Sequence, residues 1–334
     1  MLSLDSQVIF LLCASLNKGD GKGEDYQPLT AGEWHDLALK IHDSSLKVPG
    51  MLLNLSKEEL SVELELTPSD ASRLCYLLGR SGQAMFEYER FTNQGYQFIS
   101  RADSGYPKKL KSGLKEEAPP FFWVLGTEAD TTKSIISMIL PQNSDAELKA
   151  KIDQYLSIVD GSTTMITLSL NTPFEEEILE ICAKYGAHTT AFVAKGGLHY
   201  TKSNNIRDLI GDGLLTLFSQ SYPQSTFYRK AVATSQKKVK LVMADRIIRF
   251  TGNSRENDAN LERLVQDYGK GKLQGEENGT ETTELPVSTS GKEDVTVYTI
   301  GHSDHIIEEF VKLLQLQSID ILIDVRTFPN SKLH

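Results

Sequence analysis

The chain predicts an α/β protein: a Rossmann-like, doubly wound parallel sheet preceded by an all-helical module. Three observations predict it. From residue 96 onward, short apolar runs alternate with amphipathic helical stretches, the pattern of strand–helix–strand units. Before residue 96 the periodicity is helical only. Gly161, Gly186, Gly211 and Gly213 fall between the elements, where helices stop and tight turns belong.

Residues 5–16 carry the first helix. Its apolar run, Val8 to Leu12, follows Asp5 and is too short for a secretory leader or a membrane span. Residues 17–25 form a glycine- and charge-rich loop. Thr30-Ala31-Gly32-Glu33 fits a capping box, with Thr30 as cap and Glu33 three residues on. It opens a helix whose apolar side holds Trp34, Leu37, Ala38 and Ile41. Ser56-Lys57-Glu58-Glu59 and Thr67-Pro68-Ser69-Asp70 are two more helix starts, the second leading Ala71, Leu74, Cys75 and Leu78 along one face. A helix from Ser81 to Thr92 stops at Asn93-Gln94-Gly95. Residues 1–95 thus form the helical N-terminal module.

Strands are expected at 96–100, 121–126, 164–169, 188–193, 214–218 and 246–250. Helices are expected at 144–157, 173–185, 203–210 and 226–235. Together they make 96–268 the Rossmann-like domain. Residues 269–294 have few apolar side chains and many Gly, Thr and Glu, the composition of a flexible linker. A last strand–helix–strand unit covers 295–334. Its strands run into Gly301-His302-Ser303 and Asp324-Val325-Arg326. So short a unit cannot bury its own sheet, so it belongs to a larger domain or docks on another surface.

The 334 residues exceed what one hydrophobic core usually organises, and 40% hydrophobic with 24% charged residues is the composition of a soluble globular protein. The formal net charge of −10 excludes nucleic-acid binding through a global positive field and demands a concentrated basic patch. Such a patch exists: residues 195–250 hold ten Lys/Arg against three Asp/Glu. Arg229, Lys230, Lys237, Lys238 and Lys240 cluster with Tyr222, Phe227 and Tyr228. Cations interleaved with aromatics suit a single-stranded nucleic-acid groove. The competing reading is a solvated helix face over core aromatics. Cys13, Cys75 and Cys182 are far apart and form no C-x-x-C, which reads as reduced thiols of a cytoplasmic protein rather than a metal site or disulfide. No metal, cofactor or membrane contact is implied.

The order of residues between 30 and 126 resembles the DprA/Smf (DNA-processing) family. Arg73-Leu74, Leu77-Leu78, Arg80, Glu87, Glu89-Arg90 and Gly95 come first. Gln97 to Ser100, Asp103, Tyr106-Pro107, Pro119-Pro120 and Gly126 follow. The resemblance implies single-stranded DNA as ligand, a recombinase of the RecA type as partner, and a binding role more than an enzymatic one. It also implies a phosphate pocket whose motifs are changed here. A Gly-Ser-Arg or Gly-Thr-Arg turn is met by Gly126-Thr127-Glu128, and a glycine-rich loop by Ser169 to Glu176 without any glycine. Phe227 and Ala244-Asp245 fit a third element, but Gln236-Lys237 replaces its Arg-Asn pair, and a later loop survives as Thr251-Gly252-Asn253. The scaffold is expected to persist and the phosphate pocket to be lost.

The C-terminal unit resembles a domain family of unknown function marked by T-I-G-H-S and D-V-R-x-x-P-x-S runs. There His302 is an acid/base candidate and Arg326 an anion ligand. The plainer alternative pairs Asp324 with Arg326 between two turns. Two functions are carried forward. One is single-stranded DNA binding in DNA processing, recombination, transformation or defence against foreign DNA. The other is sensing or processing of a nucleotide derivative. Both allow a homo-oligomer.

Overall fold

The computed structural model describes residues 2–17, 26–127, 132–141, 146–250, 259–269 and 271–276, all within one compact unit, Met1–Thr280. The C-terminal unit with His302, Asp324 and Arg326, Glu128, and the Thr251-Gly252-Asn253 loop lie outside the described residues.

Helices begin where a side chain can accept the free amides of a first turn. Ser3 caps α1 (Leu4–Cys13). Thr30 and Glu33 close a capping box on α2 (Ala31–Asp43), and Ser56 with Glu59 closes another on α3 (Lys57–Glu63). Thr67 caps α4 (Pro68–Leu78), whose proline stands in the first turn. The fifth helix, α5, spans Ser81–Thr92. The residues of the 30–126 run fasten these pieces. Arg73 pairs with Glu33 and donates to the carbonyls of Gln27 and Pro28. Arg80 donates to the Leu11 and Ala14 carbonyls at the end of α1. Asp103 accepts from the Ser6 hydroxyl at 2.7 Å and the Ser100 amide at 2.7 Å, while the Tyr106 hydroxyl donates to Pro119 O at 2.7 Å. Asp103 and Tyr106 therefore act as a turn former and a helix-start anchor.

Eight strands form one sheet in the order β1-β2-β6-β5-β4-β3-β7-β8. They are β1 Tyr96–Ser100, β2 Phe121–Leu125, β3 Ser134–Ile139, β4 Thr164–Leu168, β5 Thr189–Val193, β6 Leu215–Ser219, β7 Arg246–Arg249 and β8 Leu273–Glu276. From β6 to β8 all neighbours are parallel, and the order reverses at β3, which makes the sheet doubly wound. Two strands depart from the expected direction: β2 is antiparallel to β6, and β1 is antiparallel to β2. Apolar periodicity reports that a strand is buried, not which way it runs. The connecting helices are α6 (Lys108–Leu114), α7 (Ala146–Ser157), α8 (Pro173–Lys184), α9 (Gly197–Tyr200), α10 (Asn204–Gly211), α11 (Lys230–Met243) and α12 (Ala259–Tyr268).

Alternate side chains of the central strands face opposite layers, as the two-residue period requires. Phe121, Trp123 and Leu125 join the core that contains α1, α2, α4, α5, α7, α8 and α10. Phe122 and Val124 face the other side, where Phe192 and Phe218 meet Leu110 and Leu114 of α6 and Val239 and Val242 of α11. The N-terminal helices and the sheet thus share one core. Cys13 and Cys182 are buried in it as free thiols, and burial pushes the Cys182 thiol up to about 12.

The Arg73 guanidinium, with the Thr30 cap, holds the Glu33 carboxyl down to about 2. A carboxyl depressed in the folded state stabilises it above its unfolded value and loses that contribution as pH falls through the folded one. Glu33→Gln is therefore expected to lower the melting temperature at neutral pH. The difference from the parent should shrink as pH falls from about 4.5 toward 2. A difference that is the same at both ends would remove the ion pair from the account.

Candidate nucleic-acid interface

In a parallel α/β sheet, ligands sit at the carboxyl ends of the strands, where the helix amino termini also point. Three loops meet at that edge here: Ser169–Thr172 after β4, Ala194–Ser203 after β5, and Gln220–Arg229 after β6. The second and third interlock. The Gly196 amide donates to Ser225 O at 2.9 Å and the Leu198 amide to Pro223 O at 3.0 Å. The Ser219 hydroxyl donates to Lys195 O at 2.8 Å, and the Ser221 hydroxyl to Ala194 O at 2.8 Å. A Cβ on Gly196 would overlap the Tyr222 and Pro223 carbonyls, so only glycine lets the two backbones approach this closely.

The basic cluster of α11 divides in two. Phe227 and Tyr228 are exposed at 46% and 55%, and Lys230 next to them is exposed as well. With the half-buried Arg229 they form a rim at the helix amino terminus, on the ligand edge of the sheet. Lys237 is half-buried about two turns further on. Lys238 is turned toward the neighbouring layer, bound to Glu117 at 2.5 Å and lying 5.2 Å from the Tyr268 ring. Lys240 is a correction: it is 7% exposed, donates to Met138 O at 3.1 Å, and burial lowers its pKa. It cannot meet a phosphate from that position. Tyr222 is likewise core, 5% exposed.

The loop after β5 adds cations that the reading of the sequence did not single out. Lys195 lies 3.1 Å from Nε2 of His199, and Lys202 is exposed on the next turn. Burial, then Lys195 and Lys202, lower the His199 pKa, which keeps the ring neutral and able to accept from Lys195. Both lysines lie within the 195–250 stretch, but only the topology sets their loop against residues 223–225, just ahead of the rim.

At the neighbouring loop an anion site is already filled. Leu170 adopts a left-handed φ of 47°, and Thr172 caps α8. The Glu175 carboxylate turns back and accepts from the Asn171 amide at 2.6 Å and the Thr172 amide at 3.1 Å. These amides lie at the entry to α8, beside the positive end of the helix where an anion would settle. Glu175 is 9% exposed, so the chain places its own carboxylate there.

The architecture has solved counterparts. It matches DNA processing protein A from Streptococcus pneumoniae with a TM-score of 0.53 at 12% identity, over 75% of this chain and 96% of that one. The fold is DprA-like. DNA processing protein A from Helicobacter pylori, described with a single-stranded DNA binding mode, also matches. Its TM-score is 0.41 at 14% identity, over 55% of this chain and 82% of that one. No protein-family model matches the sequence, and no curated protein does.

The DprA-like fold relocates one element of the expected pocket. Gly126 and Thr127 follow β2, which runs antiparallel, so they lie at the amino ends of the parallel strands. Gly126, at φ 117°, packs against Leu215 and Thr216, and Thr127 O accepts from the Thr216 hydroxyl at 2.6 Å. That turn is on the edge opposite the ligand loops. In the strand order, the first loop at the ligand edge follows β3, at Leu140-Pro141. Gln236, aligned with an expected arginine, is 1% exposed and donates to Val193 O. Asp245 accepts from Lys109 at 2.5 Å and from the Ile135 amide at 3.0 Å, a structural clasp.

Among the described residues no group of His, Cys, Asp and Glu could hold a metal ion, and no helix is long and apolar enough to cross a membrane.

Proposed function

We propose that this chain binds single-stranded DNA along the carboxyl edge of its parallel sheet and acts in DNA processing. One observation carries the reading: two exposed aromatics, Phe227 and Tyr228, stand beside Arg229 and Lys230 at that edge of an otherwise acidic chain. Exposed rings accept stacked bases of any sequence, and adjacent cations track the backbone. The likeness of fold to DNA processing protein A supports the choice of nucleic acid. Lys195 and Lys202 extend the same rim. Lys237 lies further along α11, and Lys238 contributes to the rim's footing through Glu117. By the resemblance to the DprA/Smf family, a RecA-type recombinase is the expected protein partner, and self-association and a cytoplasmic setting are compatible with the same reading.

The second reading, a nucleotide-derivative site, is disfavoured by Glu175. Its carboxylate holds the Asn171 and Thr172 amides just before α8, and a second anion at that helix start would be repelled. A polymer laid across the outer rim has no need of those amides. Fluorescence anisotropy with labelled oligothymidine at low salt tests the proposal. Binding should fall as salt rises, by about −0.7 in log–log slope for each phosphate contact. A mononucleotide should leave the melting temperature unmoved, whereas saturating oligonucleotide should raise it. No binding at low salt, or a shift with mononucleotide alone, would overturn the proposal.

A further inference from the structure

The rim loop is held from an unexpected direction. The Tyr222 hydroxyl donates to Oε2 of Glu87 at 2.7 Å, joining the loop after β6 to helix α5 of the N-terminal layer. Glu87 has only 12% of its side chain exposed, and Arg90 one turn on reaches the same oxygen at 3.4 Å. The Tyr222 ring packs edge-on against Phe91, centroids 5.2 Å apart, and Phe91 packs in turn against Trp123 of β2. Burial, followed by the Glu87 bond, raises the Tyr222 pKa, so the hydroxyl stays a donor. Beyond Tyr222 the loop turns at once. The Ser225 amide donates to Tyr222 O at 2.8 Å, and the Phe227 amide reaches the Ser225 hydroxyl at 3.4 Å. Phe227 to Lys230 follow directly.

We infer that Glu87 is a positioning residue for the DNA rim, acting through Tyr222 to set the path of residues 223–229. The inference rests on the proposed single-stranded DNA site. The carboxylate in a half-buried setting gives a charge-assisted bond, about twice as strong as a neutral one. Its partner sits five residues before the first exposed aromatic, and a one-sided loss would leave Glu87 bonded to Arg90 alone. The helical layer is therefore part of the binding surface without touching DNA: it holds Phe227 and Tyr228 in one arrangement, so less ordering is left for the moment of binding.

The test uses Tyr222→Phe, which removes a single oxygen and keeps the ring among its neighbours, together with Glu87→Ala and Glu87→Gln. Hydrogen exchange over residues 223–229 should quicken in Tyr222→Phe and Glu87→Ala. It should lie between the parent and Glu87→Ala in Glu87→Gln, whose amide oxygen still accepts a weaker, neutral bond. Single-stranded DNA affinity should fall roughly three- to tenfold in the first two variants. The salt slope should be unchanged, because no phosphate contact is lost. Parent-like exchange in Tyr222→Phe and Glu87→Ala would overturn the inference. So would faster exchange spread evenly through the sheet, or a Glu87→Gln variant as weak as Glu87→Ala. If the parent binds no single-stranded DNA, the DNA reading falls while the exchange comparison still decides whether Glu87 sets the loop.

Discussion

Replacing Tyr228, Arg229 and Lys230 together with alanine is expected to weaken single-stranded DNA binding at least about a hundredfold at low salt. A stacked base contributes about 1–3 kcal/mol, and the two cations add phosphate contacts of their own. The log–log salt slope should become shallower by about 1.4, twice 0.7, if both cations each neutralise one phosphate. The loss should be the same for all base sequences, because phosphate and stacking contacts carry little base information. Tyr228 is more than half exposed and Lys230 is exposed, so any fall in the melting temperature of the triple variant should trace to the half-buried Arg229 and appear in Arg229→Ala alone. A triple variant that binds like the parent at low and moderate salt would show that the rim is not the site. Lys238 and Lys240 are left out of this variant for a physical reason. Removing Lys238 leaves Glu117 bonded to the Tyr268 hydroxyl without its cation and uncovers the Tyr268 ring, and removing Lys240 empties a buried position under β3. Weakened binding in either would report damage to the scaffold.

What could be read from the sequence was the local part. The boxes Thr30/Glu33 and Ser56/Glu59 are legible because both partners lie within one turn. The strands expected at 96–100 and 164–169 are bounded by clear turn residues, and they form as Tyr96–Ser100 and Thr164–Leu168. β3, Ser134–Ile139, is not marked by its sequence because two serines dilute its short apolar run and burial on both faces leaves no alternation to detect. β8 falls at the start of the linker expected over 269–294: Leu273–Glu276 is held by its pairing to β7, which composition does not reveal. α12 escaped notice too, and the helix expected at 226–235 begins at Lys230 and runs to Met243. The stretch before it is not helical: Pro223 and Ser225 accept from the Leu198 and Gly196 amides, a contact distant in sequence. The site suffered likewise. Lys240 counts as a surface cation by residue type, yet it spans the core to a β3 carbonyl. The resemblance to the DprA/Smf family identified the right scaffold, whereas its alignment put Gly126-Thr127 on the ligand edge because strand direction was invisible.

Trp123→Ala is expected to cost about 3–5 kcal/mol, a large share of the 5–15 kcal/mol that stabilises a typical domain. The ring is 2% exposed and stands where the helical layer meets the sheet. Its neighbours are Phe10 of α1 at 5.6 Å, Phe91 of α5 at 5.6 Å, and Tyr96 and Phe98 of β1 at 6.3 and 5.2 Å. The variant also separates two accounts of the chain. If residues 1–95 fold by themselves, the cavity weakens the sheet and leaves the helices alone. If the layers are one cooperative unit, both lose stability together. Only two tryptophans are present, so Trp34 on α2 becomes the single indole in the variant and reports the helical layer. Denaturant titrations followed by Trp34 emission and by far-ultraviolet circular dichroism should give coincident midpoints, both lower than the parent's. A Trp34 transition that keeps the parent's midpoint would establish an autonomous helical domain. It would also leave Glu87 free to swing with that domain, and the rim loop would then have to be held by the sheet alone.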